Sequence, residues 1–160
     1  MDKKLVVFFS YTGNTQKIAY EIKEKLNCDI LEIKTVVPYS TDYQTVVDDE
    51  QNSEASNHLP EIQSININVD DYDTIILGTP VWWYRPTPAI RTFLTTYNLT
   101  NKTIIPFATN AGWLGRTFKE IKSLCPNSTI KNEKNIVFES YSDKLVTSKE
   151  EIDKWIDTLK

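Results

Sequence analysis

The amino-acid sequence predicts an α/β protein: one three-layer, doubly wound domain over residues 1–160, with a five-stranded parallel sheet ordered 2-1-3-4-5. Three observations support this fold class. Short apolar runs alternate with amphipathic helical patterns, which is typical of a parallel sheet with helices on both faces. The first, third and fourth runs are free of charged residues, as in strands that are covered on both sides. The second and fifth runs carry charges, which favours positions at the sheet edges.

The five strands follow the apolar runs at residues 5–9, 29–33, 74–77, 103–108 and 135–139. Runs of this length that are rich in β-branched residues favour strands. Pro106 conflicts with the fourth strand, because an interior strand normally needs the backbone N–H that proline lacks. We therefore expect either a missing hydrogen bond at Pro106 or a different register of that strand.

Amphipathic helical patterns occupy the chain between and after the strands. Apolar residues recur at helical spacing within residues 18–26, 90–97, 114–125 and 152–159. Pro126 ends the third pattern, and Ser148 with Glu151 forms a capping box before the fourth. This order of elements predicts right-handed crossovers between parallel strands.

The segment at residues 36–73 is longer than a minimal crossover, which needs about 10–12 residues. Residues 43–47 are predicted to begin a helix, although residues 48–57 are very polar. Apolar and polar residues alternate over residues 65–69, which predicts an extended stretch that lies along the surface.

The charge of the chain limits its partners. Eighteen Lys and Arg against 22 Asp and Glu give a formal net charge of −4, which argues against a nucleic-acid-binding protein. The two cysteines, Cys28 and Cys125, form neither a disulfide framework nor a metal-ligand pattern. The apolar run at residues 5–9 is too short for a signal peptide or a membrane span. We therefore expect a cytoplasmic protein without nucleic-acid, membrane or metal partners.

The loops after the parallel strands are expected to meet at one edge of the sheet, where α/β folds bind ligands. The first loop offers hydroxyl, carboxamide and backbone N–H groups at a helix N-terminus, from Ser10, Thr12, Gly13, Asn14 and Thr15. The helix dipole and the free N–H groups there favour a phosphate. The loop carries no Lys or Arg and no nucleoside-triphosphate motif, which favours a single phosphomonoester. The alternative is that these residues only cap a helix.

The second loop, at residues 78–86, places apolar and aromatic residues together: Pro80, Val81, Trp82, Trp83 and Tyr84. Exposed aromatic clusters usually bind a flat or apolar ligand. The alternative is that Trp82 packs under the neighbouring helix and that one ring faces outwards.

The third loop contains Thr109, Asn110, Ala111 and Gly112. Glycine is scarce in this chain, yet all four glycines lie in or beside these three loops. Their placement suggests backbone that approaches a ligand closely, and the alternative is a plain turn before a helix. A phosphate site next to flat aromatic rings fits flavin mononucleotide (FMN), which has one phosphate and one large planar ring.

The same residues resemble the flavodoxin family. Residues 10–15 match the family's phosphate-loop pattern, (S/T)-x-T-G-x-T. Residues 78–83 resemble the flavin-ring loop of short bacterial flavodoxin-like proteins, and residues 109–112 resemble their third loop. The resemblance spans nearly the whole chain and implies a five-stranded flavodoxin-like fold, FMN as cofactor and a redox function.

The resemblance also implies roles for residues of the three loops. The phosphate would be held by Ser10, Thr12, Asn14 and Thr15. Trp83 would lie against the isoalloxazine ring of FMN. The pocket around that ring would be shaped by Pro80, Val81, Trp82 and Tyr84. Residues 110–112 would contact the pyrimidine edge of the ring.

Two redox functions follow from the resemblance. The first is an FMN-binding electron-transfer protein that serves redox partner proteins. The second is an FMN-dependent NAD(P)H oxidoreductase that reduces a quinone or another small acceptor. Electron carriers of the family usually have a glycine in the ring loop, so that a peptide can flip when the flavin gains one electron, and they are usually more acidic. This chain has no glycine between Gly78 and Gly112, which keeps the second function open.

In both functions the flavin performs the chemistry, so no catalytic side chain is predicted. A phospho-receiver shares the topology, but it needs acidic residues after the first strand and a phosphorylatable Asp after the third. The first and second loops contain neither. A non-redox binding protein without a flavin is the other alternative.

Overall fold

The computed structural model describes residues 2–160, apart from the side chains of residues 52–56. In chain order its elements are β1 (Lys4–Phe8), α1 (Asn14–Leu26), β2 (Asp29–Glu32), α2 (Tyr43–Ser56), β3 (Thr74–Trp82), β4 (Arg85–Pro86), α3 (Pro88–Thr96), β5 (Thr103–Asn110), α4 (Thr117–Leu124), β6 (Thr129–Ile130), β7 (Lys134–Val137) and α5 (Lys149–Asp157). A 3₁₀ turn spans Val69–Asp71. None of the helices in this described part of the chain combines the length and the apolar character needed to cross a membrane.

The parallel sheet has the order predicted from the sequence. β1 pairs with β2 on one side and with β3 on the other, and β3 pairs with β5. β6 and β7 both pair with β5, one at its beginning and the other at its end, so together they take the place of the predicted fifth strand. The α/β, doubly wound, flavodoxin-like fold and its strand order are therefore confirmed, with a break in the fifth strand.

Pro106 lies in β5, and the break in the edge strand explains how the proline is accommodated. The carbonyl oxygen of Ile104 accepts from Lys131, and that of Asn110 accepts from the residue that follows β7. Even-numbered residues of β5 therefore direct their backbone polar groups towards the edge strand. Pro106 shares this orientation and falls between the stretch paired with β6 and the stretch paired with β7. The N–H that proline lacks would have no strand partner there, so no ladder bond is lost.

The sheet separates two apolar cores. β1 shows the division, because Leu5 and Val7 belong to one core while Val6 and Phe8 belong to the other. All four side chains are fully buried, as expected for a strand that is covered on both faces. The first core includes residues of α3 and α4, and the second includes residues of α1 and α5, which completes the three layers.

The predicted helix starts are found, whereas the stretch predicted to be extended bends at residues 66–67 and enters the 3₁₀ turn at Val69. Ser148 Oγ accepts from the backbone N–H of Glu151 at 3.1 Å, so Ser148 caps the start of α5 as predicted, while the Glu151 carboxylate pairs with Lys134. Residues 43–47 belong to α2. Ile65 and Ile67 are partly buried against the first core, as the alternating pattern indicates. The long crossover therefore contains a helix and a stretch that runs along the surface.

Candidate functional site

The loops after the parallel strands surround a cavity of about 690 Å³ at the carboxyl edge of the sheet. Eight of the residues predicted for the site line this larger cavity: Thr12, Asn14, Pro80, Val81, Trp82, Thr109, Asn110 and Ala111. A smaller cavity of about 230 Å³ lies beside it, and Trp83 and Tyr84 line this one. Four predicted residues lie in or beside the same loops but are not among the described residues that line either cavity: Ser10, Gly13, Thr15 and Gly112.

The start of α1 supplies the donors of the predicted phosphate site. The first four N–H groups of a helix have no partner within the helix, here those of Gly13, Asn14, Thr15 and Gln16. Ser10 Oγ accepts from two of them, Gly13 and Gln16, both at 3.2 Å. Among the described residues, no acceptor is bonded to the N–H groups of Asn14 and Thr15. These two groups, with the positive end of the helix dipole, can bind a phosphate.

Gly13 turns the chain into α1, and hydrogen bonds to distant parts of the chain hold its neighbours. Its φ of 105° favours glycine, and a Cβ there would meet no atom within 4 Å, so conformation and not space requires glycine. Asn14 Nδ2 donates to the carbonyl oxygen of Ser142 at 3.0 Å, and Thr15 Oγ1 lies 2.7 Å from Thr109 Oγ1. These bonds join the first loop to the end of β5 and to the loop after β7.

Asn110 shapes the third loop with both ends of its side-chain amide. Its Oδ1 accepts from the N–H groups of Gly112 and Trp113 at 2.9 and 3.1 Å. Its Nδ2 donates to Asn135 Oδ1 at 2.7 Å. These bonds occupy the Asn110 side-chain amide together with the N–H groups of Gly112 and Trp113, so they leave fewer donors of this loop for a ligand.

The second loop is a tight hairpin instead of the long loop that the sequence predicts. β3 continues to Trp82, so residues 80–82 lie on a strand, and Trp82 pairs with Arg85 across a two-residue turn. Trp83 and Tyr84 form the turn with φ of 54° and 63°, both left-handed. Turns of this kind ordinarily hold Asn, Asp or Gly, because larger side chains are strained at positive φ.

Contacts with α4 and the residues before it hold the hairpin in place. Arg85 Nε donates to Glu120 at 2.7 Å, and both side chains are largely buried. The carbonyl oxygen of Tyr84 accepts from the backbone N–H of Arg116 at 3.0 Å. Gly115 lies so close to Tyr84 that a Cβ on the glycine would be 2.3 Å from the tyrosine Cβ. The hairpin is therefore held against α4 and the residues before it by an ion pair, a hydrogen bond and close packing.

The aromatic residues of the hairpin face two directions. Trp82 packs edge-to-face against Tyr11 and Tyr39, with ring centroids 5.8 and 5.1 Å away. Trp83 and Tyr84 are 39% and 60% exposed. Trp82 therefore packs inwards against rings of the first loop and the long crossover, and two rings instead of the one expected face outwards; its packing under the neighbouring helix stays a prediction.

Two of the four glycines have close neighbours within the protein. A Cβ on Gly78 would lie 2.3 Å from the ring of Phe107, and Gly115 is packed against Tyr84 in the same way. The expectation that all the glycines mark a close approach to a ligand is therefore wrong for Gly78 and Gly115. Gly112 has a φ of 116° and open space around the position of a Cβ, while its N–H is bonded to Asn110 Oδ1.

Part of the wall of the larger cavity was not predicted from the sequence. Trp113 of the third loop and residues 138–143 after β7 line it. Tyr43, the first residue of α2, also lines it and packs edge-to-face on Tyr141, with ring centroids 5.4 Å apart. The rule that loops after parallel strands share one edge would have identified residues 138–143. No sequence pattern indicates Tyr43, because α2 comes from the long crossover.

Acidic side chains lie at the larger cavity, and its walls are otherwise neutral. Glu139 and Asp143 line it and are exposed, whereas no Lys or Arg occurs among its described lining residues. In the wall behind Trp82, burial raises the pKa of Tyr39 far above its ordinary value; the Glu50 carboxylate raises it further, and the Arg91 guanidinium opposes both. An anionic group in the larger cavity would therefore meet neutral donors and the helix dipole, with no cation among the described lining residues.

The fold and this cavity define a flavodoxin-like α/β protein. The chain belongs to the flavodoxin family: the family model described as flavodoxin matches residues 3–159. The resemblance predicted from the three loops is therefore confirmed. No protein with a curated description matches the chain.

Solved structures match the chain over nearly its whole length. Candidate flavoproteins from Bacteroides eggerthii DSM 20697 and Bacteroides uniformis ATCC 8492 are 27% and 26% identical to it, both with a TM-score of 0.77. The matches cover 99% and 98% of this chain and 98% of each of those chains. A flavoprotein from Lactobacillus acidophilus NCFM in complex with FMN has the same fold, with 24% identity, a TM-score of 0.77, and coverage of 97% of this chain and 99% of that one.

Proposed function

We propose that the chain binds FMN and acts as an FMN-dependent NAD(P)H oxidoreductase. The observation that carries the proposal is a single cavity with two unlike parts. One part has the two N–H groups at the start of α1 that lack a protein acceptor, and the other has apolar walls formed by Val81, Trp82 and Trp113. A phosphate fits the first part and a flat ring the second. The volume of about 690 Å³ is typical of cofactor sites.

In this proposal the phosphate of FMN lies at the start of α1. The backbone N–H groups of Asn14 and Thr15 donate to its oxygens, and the side chains of Thr12 and Asn14 line the same space. Ser10 keeps the turn in place by accepting from Gly13. The donors are neutral, so the helix dipole supplies the positive potential that the phosphate requires.

In this proposal the second and third loops form the walls around the isoalloxazine ring. Val81, Trp82 and Trp113 line that part of the larger cavity. Trp83, the residue predicted to stack on the ring, lies next to them at the tip of the hairpin. Stacking by Trp83 stays a prediction.

The fastened hairpin supports two-electron chemistry over one-electron carriage. When bound, FMN supplies that chemistry: a hydride from NAD(P)H and one proton from water are passed on as two electrons and two protons to a small acceptor. A one-electron carrier of this family usually has a ring loop whose peptide can flip. Here the carbonyl oxygen of Tyr84 accepts from the N–H of Arg116, next to the ion pair of Arg85 with Glu120, so a flip of the Tyr84–Arg85 peptide would break a backbone hydrogen bond.

An electron-transfer role with redox partner proteins is the second candidate function. Glu139 and Asp143 lie at the cavity, and their negative charges oppose further negative charge on a reduced flavin. Such an environment lowers the reduction potential, which suits a protein that donates electrons. The cytoplasmic location predicted from the sequence stays a prediction under both functions.

Titration of the FMN-free chain with FMN tests the proposed cofactor site. We expect saturable quenching of flavin fluorescence, and the double substitution Thr12→Val with Asn14→Leu should weaken binding about tenfold, because hydrogen bonds to a charged phosphate are lost. Riboflavin, which lacks the phosphate, is the control and should bind both proteins equally. Equal FMN affinity in a folded double variant would place the phosphate elsewhere.

Oxidation of NAD(P)H by the FMN-loaded chain, with a quinone and without another protein, separates the two candidate functions. Rapid oxidation is expected for the oxidoreductase. If the flavin is reduced only after a reductase protein is added, the electron-transfer function is the correct one.

A further inference from the structure

We infer that Asn57 is a positioning residue of the flavin site: its side-chain oxygen holds the end of α2 against the hairpin, so that these two elements keep a fixed position relative to each other. This inference rests on the proposed function, since it gives the larger cavity to FMN. Its evidence is the place of Asn57 in the chain, its two hydrogen bonds and the elements that these bonds connect.

Asn57 directly follows α2, which ends at Ser56. Its φ of 56° is left-handed, a conformation that asparagine adopts more readily than larger residues. Such a residue is common immediately after a helix, where the chain leaves the helical path. The backbone of Asn57 therefore suits the end of α2, and its side chain is available for a second role.

The second role is visible in two hydrogen bonds. Asn57 Oδ1 accepts from Arg85 Nη2 and from Arg91 Nη1, both at 3.2 Å. A guanidinium can only donate, so the side-chain oxygen of Asn57, and not its amide nitrogen, faces the two arginines. Hydrogen bonds from a charged donor are stronger than those between neutral groups. One oxygen therefore connects two cations that lie 28 and 34 residues further along the chain.

Both arginines hold the second strand of the hairpin. Arg85 forms β4 together with Pro86 and pairs with Trp82 across the turn. Arg91 is 3% exposed, and its Nε donates to the carbonyl oxygen of Pro86 at 3.2 Å. Asn57 is thus linked to the whole of β4: to its first residue directly, and to its second residue through Arg91.

The two elements that Asn57 connects both line the site. Tyr43 of α2 and Trp82 of the hairpin line the larger cavity, while Val47 of α2 and Trp83 of the hairpin line the smaller one. A shift of α2 relative to the hairpin would therefore change the shape of the space that we give to FMN. Asn57 is not among the described residues that line either cavity, so it acts on this space only through α2 and the hairpin.

Other contacts of the two arginines stay in place when Asn57 is replaced. Arg85 keeps its ion pair with Glu120, and Arg91 keeps its bond to the carbonyl oxygen of Pro86. We therefore expect variants at Asn57 to fold, with α2 less firmly held against the hairpin.

The substitution Asn57→Gly tests the inference, because glycine adopts left-handed backbone and only the side chain is lost. We expect the FMN dissociation constant to rise about fivefold, since two hydrogen bonds from charged donors are removed. Asn57→Asp keeps an acceptor for both guanidinium groups and should restore the parent affinity to within about twofold. Unchanged FMN affinity in Asn57→Gly, or an equal loss of affinity in Asn57→Asp, would overturn the inference.

Asn27→Gly is the matched control. Asn27 follows α1 with a φ of 50°, and its side chain makes no hydrogen bond to any described residue. This variant removes an asparagine side chain from the same kind of backbone, so it should bind FMN as tightly as the parent chain. Equal losses of affinity in Asn27→Gly and Asn57→Gly would overturn the inference, because the side-chain oxygen of Asn57 would then have no particular role.

Hydrogen–deuterium exchange of the FMN-free chain separates a failure of the inference from a failure of the proposed function. In Asn57→Gly the backbone amides of residues 43–51 and 81–86 should exchange about threefold faster than in the parent chain, with those of α1 unchanged. Unchanged exchange in both segments would overturn the inference even if FMN binds. If the parent chain does not bind FMN, the proposed function fails, and the exchange rates alone decide whether Asn57 holds α2 against the hairpin.

Discussion

The first loop and the hairpin both place left-handed backbone at the site, but they do so with opposite kinds of residue. In the first loop Gly13 takes φ of 105° with nothing near the position of a Cβ. In the hairpin, Trp83 and Tyr84 take φ of 54° and 63° although neither is suited to it. The first loop uses the residue that its backbone prefers, whereas the hairpin relies on contacts elsewhere to impose its backbone on aromatic residues.

This difference shows which part of the site is locally encoded. The turn at Gly13 is favourable by itself, and Ser10 needs only neighbouring N–H groups to hold it. The hairpin needs the ion pair of Arg85 with Glu120, which is 35 residues away in the chain. We therefore expect substitutions in the two regions to affect folding in different directions.

The largest effect is expected for Gly115→Ala. The new Cβ would overlap Tyr84 at 2.3 Å, and the glycine φ of 57° is itself unfavourable for alanine. Together these should lower the free energy of unfolding by about 3 kcal/mol, as measured by urea denaturation. Gly112→Ala is the control, because it has a positive φ without any close neighbour. Equal losses for both variants would show that packing against the hairpin is unimportant.

An intermediate effect is expected for Gly13→Ala. It changes the conformational preference without creating a contact, so the free energy of unfolding should fall by about 1–2 kcal/mol. FMN affinity should fall as well, because the N–H groups of Asn14 and Thr15 depend on this turn. Fluorescence titration measures the affinity. A folded variant that binds FMN as tightly as the parent chain would contradict the role of the first loop.

The smallest effect, and the one of opposite sign, is expected for Trp83→Asn. Asparagine tolerates left-handed backbone, so the free energy of unfolding should stay the same or rise by up to about 1 kcal/mol. Trp113→Asn is the matched control, since Trp113 is 44% exposed against 39% for Trp83 and has an ordinary φ. A clear loss of stability for Trp83→Asn alone would mean that the tryptophan supports the fold and not the site.

Much of the fold could be predicted because its signals are local and repeated. Charge-free apolar runs identified the interior strands, and charged runs identified the edges, since burial on both faces excludes charge. Ser148 and Glu151 marked the start of α5 correctly, because a helix cap involves residues that are only three apart in the chain. Pro106 remained a conflict until the break between β6 and β7 was seen beside it.

The candidate site could be predicted only where it follows the ends of strands. Thr12, Asn14 and Thr109 line the larger cavity because the loops of a parallel sheet meet at one edge. Tyr43 could not be found in this way, since α2 reaches the cavity from the long crossover. The prediction of a long loop around Trp83 was wrong. Trp and Tyr do not favour a two-residue turn, so no sequence pattern indicated the hairpin.

The sequence by itself determined the sheet order, the two cores and the N–H groups presented at the start of α1, because each depends on neighbouring residues and on burial that repeats along the chain. Only the tertiary structure decided the hairpin at Trp83 and Tyr84 and the cavity between it and α2. The reason is physical: a strained turn exists only when distant partners such as Glu120 and Gly115 hold it, and those partners are brought together only in the folded chain.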